Sequence, residues 1–210
     1  MNKINYQKRL EETIDKETKA GHVPTLFLHS CCAPCSSYVL EYLSNYFKIT
    51  VFYYNPNITD EAEYKKRVAE QARLISELDT VYPIQLVEGK YDPQRFYEIT
   101  KGMEQMDEGG ERCFACYRLR LEEAAKLAAD GGFDYVTTTL SISPMKNAEK
   151  LNEIGAEVGE KYGIPWLFSD FKKKNGYKRS VELSKEHDLY RQSYCGCGYS
   201  KAQAKREGRI

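Results

Sequence analysis

The sequence lacks long hydrophobic runs, and no stretch approaches the roughly 18 consecutive apolar residues that a membrane helix requires. Its first 22 residues contain no apolar segment of the kind that secretory signals carry. Internal repeats and low-complexity segments are also absent. These absences argue against a membrane or secreted protein and predict a cytoplasmic one, in a compartment that keeps thiols reduced.

The chain also lacks net charge, because 31 Lys and Arg residues balance 31 Asp and Glu residues. The charges are nevertheless uneven: from Lys172 to the end there are 11 basic residues against 4 acidic ones. This basic C-terminal fifth suggests a surface for phosphates or nucleic acid, with a solvated tail as the alternative. The length of 210 residues suits one domain, or a core domain with a small appendage.

Short apolar runs alternate along the chain with segments of helical periodicity. The predicted strands span residues 25–29, 48–54, 82–87, 133–139 and 165–168. Helices are predicted at residues 4–20, 34–46, 60–78, 113–129, 147–162 and 181–187, and a further helix is opened by Asp92-Pro93. This alternation predicts an α/β fold in which a parallel sheet is flanked by helices.

The predicted organisation has three parts. Residues 1–24 form an N-terminal polar helix, residues 25–170 form the α/β domain, and residues 171–210 form a basic, Tyr-rich C-terminal segment. Ligands of such sheets bind beyond the C-terminal ends of the strands. The first cysteines directly follow the first strand, and residues 141–144 follow the fourth, so both are expected at that edge.

Seven cysteines are many for a cytoplasmic protein, and none of them stands alone. They fall into three groups: Cys31, Cys32 and Cys35; Cys113 and Cys116; and Cys195 and Cys197. Their odd number, the chain length and the reducing compartment disfavour a disulfide framework. Metal binding or thiol redox chemistry is the better interpretation.

Two of these groups can supply four thiolates. Cys31 and Cys32 lie in the turn after the first strand, and Cys113 and Cys116 lie three residues apart on one face of a helix. Four thiolates are what a 4Fe-4S cluster or a zinc site requires. The spacing of Cys113 and Cys116 suits both metals, and buried inert thiols are a further alternative.

The third group, Cys195-Gly196-Cys197, has a different spacing. Its two Cα atoms can be at most ~7 Å apart, and a disulfide needs roughly 4.4–6.8 Å. Gly196 makes the necessary turn easy, and a bridge across so small a ring would be strained and readily reduced. Such labile disulfides are the catalytic and regulatory ones. Ligation of a second metal, together with Cys35, is the competing interpretation.

Weaker signals come from single residues. His29 ends a buried strand, where a histidine more often packs than ligates. Tyr190 and Tyr194 flank the last cysteine group and could stack on a base, although a structural role is as common. The three consecutive residues Lys172, Lys173 and Lys174 could contact phosphates or form a solvated turn.

Four motifs together resemble the QueH family of cobalamin-independent epoxyqueuosine reductases. They are HSCCAPC at residues 29–35, RCFACYRLR at 112–120, TTLSISP at 138–144 and YCGC at 194–197. The resemblance covers about residues 25 to 200, with the motifs in the same order. It implies an adenine-nucleotide α-hydrolase-like (PP-loop-like) α/β fold. It also implies reduction of epoxyqueuosine to queuosine at the wobble position of tRNA, the last step of queuosine synthesis.

The resemblance further implies cofactors, partners and residue roles. Cys31, Cys32, Cys113 and Cys116 would hold a 4Fe-4S cluster, and Cys195 and Cys197 would form a redox-active pair. One additional iron near the cluster is compatible with it. The position of Cys35 varies between Cys and Asp in the family, which fits a metal ligand better than a disulfide partner. The implied partners are tRNA carrying epoxyqueuosine and an electron donor, with Tyr190, Tyr194 and the three lysines as candidate tRNA contacts.

Two other functions remain open at this point. A tRNA sulfur-transfer enzyme of the ATP-pyrophosphatase type would carry a Ser-Gly-Gly-x-Asp-Ser phosphate loop after the first strand. Here the same position reads HSCCAPC, with no glycine to cradle a phosphate. A zinc-stabilised RNA-binding module would contain zinc, would be colourless and would have no redox activity.

Overall fold

The computed structural model describes residues 4–210, so residues 1–3 of the predicted N-terminal segment lie outside the described residues. Four parallel strands form one sheet in the order β3-β2-β1-β4. Their bounds are β1 Thr25–Ser30, β2 Lys48–Tyr53, β3 Gln85–Glu88 and β4 Tyr135–Thr138. The predicted α/β fold with a parallel sheet flanked by helices is confirmed.

The helices connect these strands and continue the chain beyond them. They are α1 Tyr6–Lys19, α2 Ala33–Leu43, α3 Glu61–Glu77, α4 Pro93–Thr100, α5 Glu111–Asp130, α6 Ala148–Tyr162, α7 Gly176–Glu186 and α8 Gly198–Arg206. A short 3-10 helix spans Thr139–Ile142. The Asp60 side chain caps α3, and that of Asn147 caps α6, by accepting a backbone N–H of the first turn. Within residues 4–210, no helix combines the length and apolar character that crossing a membrane requires.

The core lies on both faces of the sheet because successive side chains of a strand point to opposite sides. On one face, Phe27 and Phe52 pack with α5 and α6. On the other face, Leu26 and Leu28 pack with α2, and Leu10 attaches α1 to this layer. The central strands are therefore apolar along nearly their whole length, as parallel sheets covered on both faces require.

The predicted fifth strand at residues 165–168 is wrong in its extent. This segment forms a single parallel bridge, Val136 to Trp166, in which Val136 N–H donates to Pro165 O at 3.0 Å. Just beyond this segment, the side chain of Asn152 on α6 bonds the backbone of Ser169, where a neighbouring strand would otherwise do so. Its side-chain oxygen accepts the Ser169 N–H at 3.1 Å, and its amide donates to the Ser169 carbonyl at 2.8 Å.

The C-terminal segment contains more helix than the sequence predicted. The helix expected at residues 181–187 is α7, which begins earlier, at Gly176. A further helix, α8, follows the last two cysteines and was not predicted from the sequence. Of the apolar residues in α8, Ala204 is buried, so amphipathic periodicity gives little signal. Its N-cap is Cys197, whose sulfur accepts the Ser200 N–H at 3.3 Å, and cysteine is not among the residues that usually mark a helix start.

Candidate functional site

The carboxyl end of β1 presents three cysteines at one point. Cys31 follows the strand, Cys32 is the N-cap of α2, and Cys35 lies in its first turn. Their three sulfur atoms all lie within 4.8 Å of one another, and those of Cys31 and Cys32 are 3.8 Å apart. Among residues 4–210, no other group of three or more His, Cys, Asp or Glu side chains meets this spacing. Three clustered sulfurs suit soft metals such as iron or zinc.

Hydrogen bonding within this cysteine triad polarises its thiols. Bonds from Cys31 and Cys35 hold the pKa of Cys32 well below its ordinary value. The same bond with Cys32 raises the pKa of Cys31 to about 11, and bonds to both neighbours raise the pKa of Cys35. The thiols of the triad thus share protons, and a bound metal cation would replace those protons, because metals bind deprotonated thiols.

Cys113 lies in the first turn of α5 and Cys116 in the second, on the helix that the sequence predicts, but the structure does not place them in the triad. The Cys113 sulfur accepts the Gly109 N–H at 3.2 Å. Cys116 is buried beside Phe96 and Cys197, and burial raises its pKa to about 11. Of the four predicted cluster ligands, Cys31 and Cys32 are thus together, and the other two lie with the third cysteine group.

Two cavities accompany these two sets of cysteines. The triad lines a cavity of about 220 Å³. Cys113, Cys116 and Cys197 line a smaller one. Four residues line both cavities: Cys195, Glu108, Arg120 and Lys146. All three cysteine groups therefore converge on one region of the molecule.

Arg120 is the charged residue at the centre of this region. It is fully buried on α5, where its Nε donates to the Cys116 carbonyl and its Nη1 donates to Asn55 Oδ1 at 3.1 Å. Its Nη2 has no hydrogen-bond partner among residues 4–210. Although burial opposes its charge, Cys116, Cys195 and Cys31 raise the pKa of Arg120. A buried cation with a spare donor among thiols fits an anionic metal–thiolate group.

His29 is a packing residue, as the sequence favoured. It is fully buried, one ring nitrogen bonds Thr138 Oγ1 at 2.8 Å, and the other bonds the Tyr54 carbonyl at 3.0 Å. Burial, helped by the charge of Arg120, lowers its pKa to about 3. His29 is therefore neutral, and neither ring nitrogen is free to bind a metal.

The low pKa of His29 makes stability depend on pH. Its folded pKa of about 3 lies below the ordinary 6.5, so the unfolded chain binds a proton that the folded chain excludes. This stabilisation is complete above pH 6.5 and is lost as the pH falls towards 3. We expect the free energy of unfolding to fall by up to about 1.4 kcal/mol per pH unit on this account.

Chemical denaturation between pH 6.5 and 5, above the range where most carboxylates titrate, checks this expectation. His29→Gln should flatten the slope, whereas His187→Gln, which changes a partly exposed histidine bonded to Glu77, should not flatten it. Equal slopes in wild type and His29→Gln would contradict the assignment.

The predicted redox pair occupies the turn before α8. Gly196 adopts a positive φ of 112°, which favours glycine. Cys195 is partly exposed, with the Asn57 amide 3.9 Å and the Lys146 amine 3.5 Å from its sulfur. Cys197 is buried, and burial raises its pKa to about 12. All seven cysteines are free thiols in this structure, and the disulfide stays a prediction.

The predicted tRNA contacts are scattered. Lys172 pairs with Asp170 and donates to a backbone carbonyl at 2.8 Å, Lys174 pairs with Glu11 on α1, and Lys173 is exposed. The Tyr190 ring lies under the amine of Lys66, and its hydroxyl donates to the carboxylate of Glu63. Of these five residues, Tyr194 lines the triad cavity.

Several residues around the cysteines were missed by the sequence analysis. Glu108, Arg120 and Lys146 line both cavities, and Tyr177, Arg191 and Arg209 line the triad cavity. Arg120 lies within a quoted motif, one helical turn after Cys116, so its position on the same helix face was the available signal. The others are single residues with no distinguishing spacing.

A family model described as epoxyqueuosine reductase QueH matches residues 26–203 of the chain. The chain belongs to the epoxyqueuosine reductase QueH family. Three relatives carrying that name illustrate the similarity. The Staphylococcus epidermidis protein is 41% identical over 94% of this chain and 85% of its own length. The Streptococcus pyogenes protein is 42% identical over 94% of this chain and 78% of its own length. The Thermotoga maritima protein is 34% identical over 84% of this chain and 90% of its own length.

The QueH match includes every cysteine group of the site, because it begins before Cys31 and ends after Cys197. It also includes Glu108, Arg120 and Lys146, the charged residues shared by the two cavities. The cysteine triad of this QueH chain is a donor set suited to binding a metal ion.

Proposed function

We propose that this chain reduces epoxyqueuosine to queuosine at the wobble position of tRNA, as an oxidoreductase of the QueH family. The observation that carries the proposal is the convergence of all three cysteine groups on two cavities that share Cys195. Family membership supplies the reaction, and the site supplies groups whose chemistry suits it.

The proposed cofactor is a 4Fe-4S cluster held by Cys31, Cys32, Cys113 and Cys116, with Cys35 available to a further iron. The donor set supports this, since thiolates are the usual ligands of such clusters. The buried Arg120 supports it too, because it lines both cavities and its Nη2 donor has no partner among residues 4–210. When bound, the cluster would supply electrons one at a time.

The proposed role of Cys195 and Cys197 follows from the stoichiometry of the reaction. Conversion of the epoxide to an alkene consumes two electrons and two protons and releases the oxygen as water. Oxidation of the two thiols to a disulfide releases two electrons and two protons, so the exchange balances. An electron donor then returns the disulfide to the dithiol form.

The C-terminal segment 171–210 supplies the proposed contacts to tRNA. A wobble base lies in a single-stranded loop, and such bases are held by stacking on aromatic rings and by basic side chains. Tyr194, Tyr177, Arg191 and Arg209 line the triad cavity and provide both kinds of group. Lys172, Lys173 and Lys174 remain proposed contacts further out, where Lys173 is exposed.

Anaerobic purification followed by metal analysis and a direct assay tests the proposal. We expect about four irons and four sulfides per chain, with a broad visible absorbance that bleaches on reduction. Incubation of epoxyqueuosine-containing tRNA with the protein and a chemical reductant should remove one oxygen atom from the modified nucleoside. Mass spectrometry of the digested tRNA detects that change. Zinc in place of iron, together with an unchanged nucleoside, would instead favour the zinc-stabilised RNA-binding module.

A further inference from the structure

Lys146 carries a buried charge in the loop between the 3-10 helix and α6. It is 8% exposed, and its amine is 2.9 Å from Glu108 Oε1 and 3.5 Å from the Cys195 sulfur. Burial alone would lower its pKa, but the charges of Cys195, Tyr117 and Glu108 raise that pKa well above the ordinary value. Lys146 is therefore an ammonium group fixed against a sulfur atom of the proposed redox pair.

Glu108 connects this ammonium group to the backbone of the same turn. Its second oxygen accepts a hydrogen bond from Ser200 Oγ at 2.9 Å. The Ser200 hydroxyl oxygen accepts the Cys195 N–H at 3.0 Å, and the Ser200 N–H donates to the Cys197 sulfur at 3.3 Å. The network thus holds Cys195 both by its sulfur and by its backbone. Charged pairs buried and bonded on every side resist rearrangement.

The two sulfurs of the pair consequently lie in different surroundings. Cys195 lines both cavities and faces the Lys146 ammonium group and the Asn57 amide. Cys197 is buried beside Phe96 and Cys116 and receives one backbone N–H. An adjacent ammonium group favours the negative charge that a reacting sulfur carries, and an apolar environment opposes it.

We propose that Lys146, anchored by Glu108, is a positioning residue that makes Cys195 the reactive sulfur of the Cys195–Cys197 pair. This inference rests on the proposed function, because that function gives the Cys195–Cys197 pair its redox role. Cys195 would attack an epoxide carbon through the open cavity, forming a C–S bond while the C–O bond opens to a hydroxyl group that takes one thiol proton. Cys197 would then attack the Cys195 sulfur and form the disulfide, the electron pair of the broken C–S bond would become the alkene, and the hydroxyl group would leave with the second thiol proton as water.

Alkylation kinetics test the proposal on the protein with its metal content intact. The protein is reduced without oxygen, freed of reductant and treated with iodoacetamide near neutral pH. Samples quenched at intervals are mapped by peptide mass spectrometry. In wild type, we expect Cys195 to be alkylated well before Cys197. In Lys146→Met, alkylation of Cys195 should be about tenfold slower, because the ammonium group beside the attacking sulfur is gone.

Two further variants separate charge from structure. Lys146→Arg keeps the cation and should retain most of the alkylation rate of Cys195. Lys150→Met removes an exposed lysine paired with Glu153 on α6, and it should match wild type. Thermal unfolding and iron content establish that each variant is folded. Where Lys146→Met does not fold, Lys146→Gln removes the charge and keeps an amide donor at the site.

The alkylation results test the role of Lys146 without requiring any measurement of tRNA turnover. A folded Lys146→Met or Lys146→Gln protein that alkylates Cys195 at the wild-type rate would overturn the proposal. Alkylation of Cys197 before Cys195 in wild type would overturn it without any variant. Should the chain leave epoxyqueuosine unchanged while the alkylation results hold, the proposed function fails and the assignment of the reactive sulfur stands.

Discussion

Replacement of Cys32 by serine is expected to remove the bound iron and to abolish turnover. Cys32 is 3% exposed and is the sulfur of the triad whose pKa is lowered by its neighbours. Serine is nearly isosteric but offers a hard hydroxyl oxygen in place of the soft thiolate that iron–sulfur clusters require. Iron and sulfide analysis after anaerobic purification, together with the visible absorbance, measures the loss.

Ser37→Ala is the matched control for Cys32→Ser. It lies on the same helix α2, is equally buried, and bonds the Pro34 carbonyl without reaching a sulfur. This variant should keep its iron and lose at most about 1 kcal/mol of stability with one hydrogen bond. A Cys32→Ser protein with wild-type iron content would contradict the assignment of Cys32 as a ligand.

Cys35→Ser and Cys113→Ser distinguish two possible sets of cluster ligands. The structure groups Cys35 with Cys31 and Cys32, whereas the QueH resemblance groups Cys113 and Cys116 with them. With the proposed ligand set, Cys113→Ser loses the cluster, and Cys35→Ser keeps its four irons and loses only a further iron. The reverse result would assign Cys35 to the cluster.

The sheet was predictable because its two central strands, β1 and β2, are apolar on both faces. β1 and β2 read as short continuous hydrophobic runs separated by helical patterns, and such alternation leaves few topologies open. The position of the first cysteines at the carboxyl edge of the sheet was predictable too, because Cys31 is the residue directly after β1. The strand expected around Trp166 is reduced to one bridge with Val136, and beyond it the Asn152 side chain, not a strand, bonds the backbone of Ser169.

The charged residues of the site could not be predicted in the same way. Glu108 and Lys146 are 38 residues apart and meet only because the loop before α5 and the loop before α6 lie at the same edge. Neither belongs to a periodic pattern, and a lone Lys or Glu is usually exposed. Arg120 was quoted as part of a motif, but its full burial depends on the packing of α5 against the sheet. Contacts of this kind become visible only in three dimensions.

Serine at Cys195 or Cys197 is expected to give the opposite combination from serine at Cys32: iron retained and turnover lost. Neither sulfur is in the proposed ligand set, and both are needed to store the two electrons that the epoxide consumes. Each variant should reduce turnover of epoxyqueuosine tRNA by about a thousandfold or more, as loss of a residue that acts as part of a unit does. Ala202→Ser, on the exposed face of α8, adds a hydroxyl nearby and should have no effect.

The double variant makes this prediction sharper. Because a disulfide needs both sulfurs, loss of either one removes the whole contribution of the pair, so the double variant should be no slower than the worse single variant. Additive losses would indicate that the two cysteines act separately, for instance as ligands of a second metal. Wild-type turnover in an iron-replete Cys197→Ser protein would exclude a disulfide from the catalytic cycle and leave the metal centre as the source of both electrons.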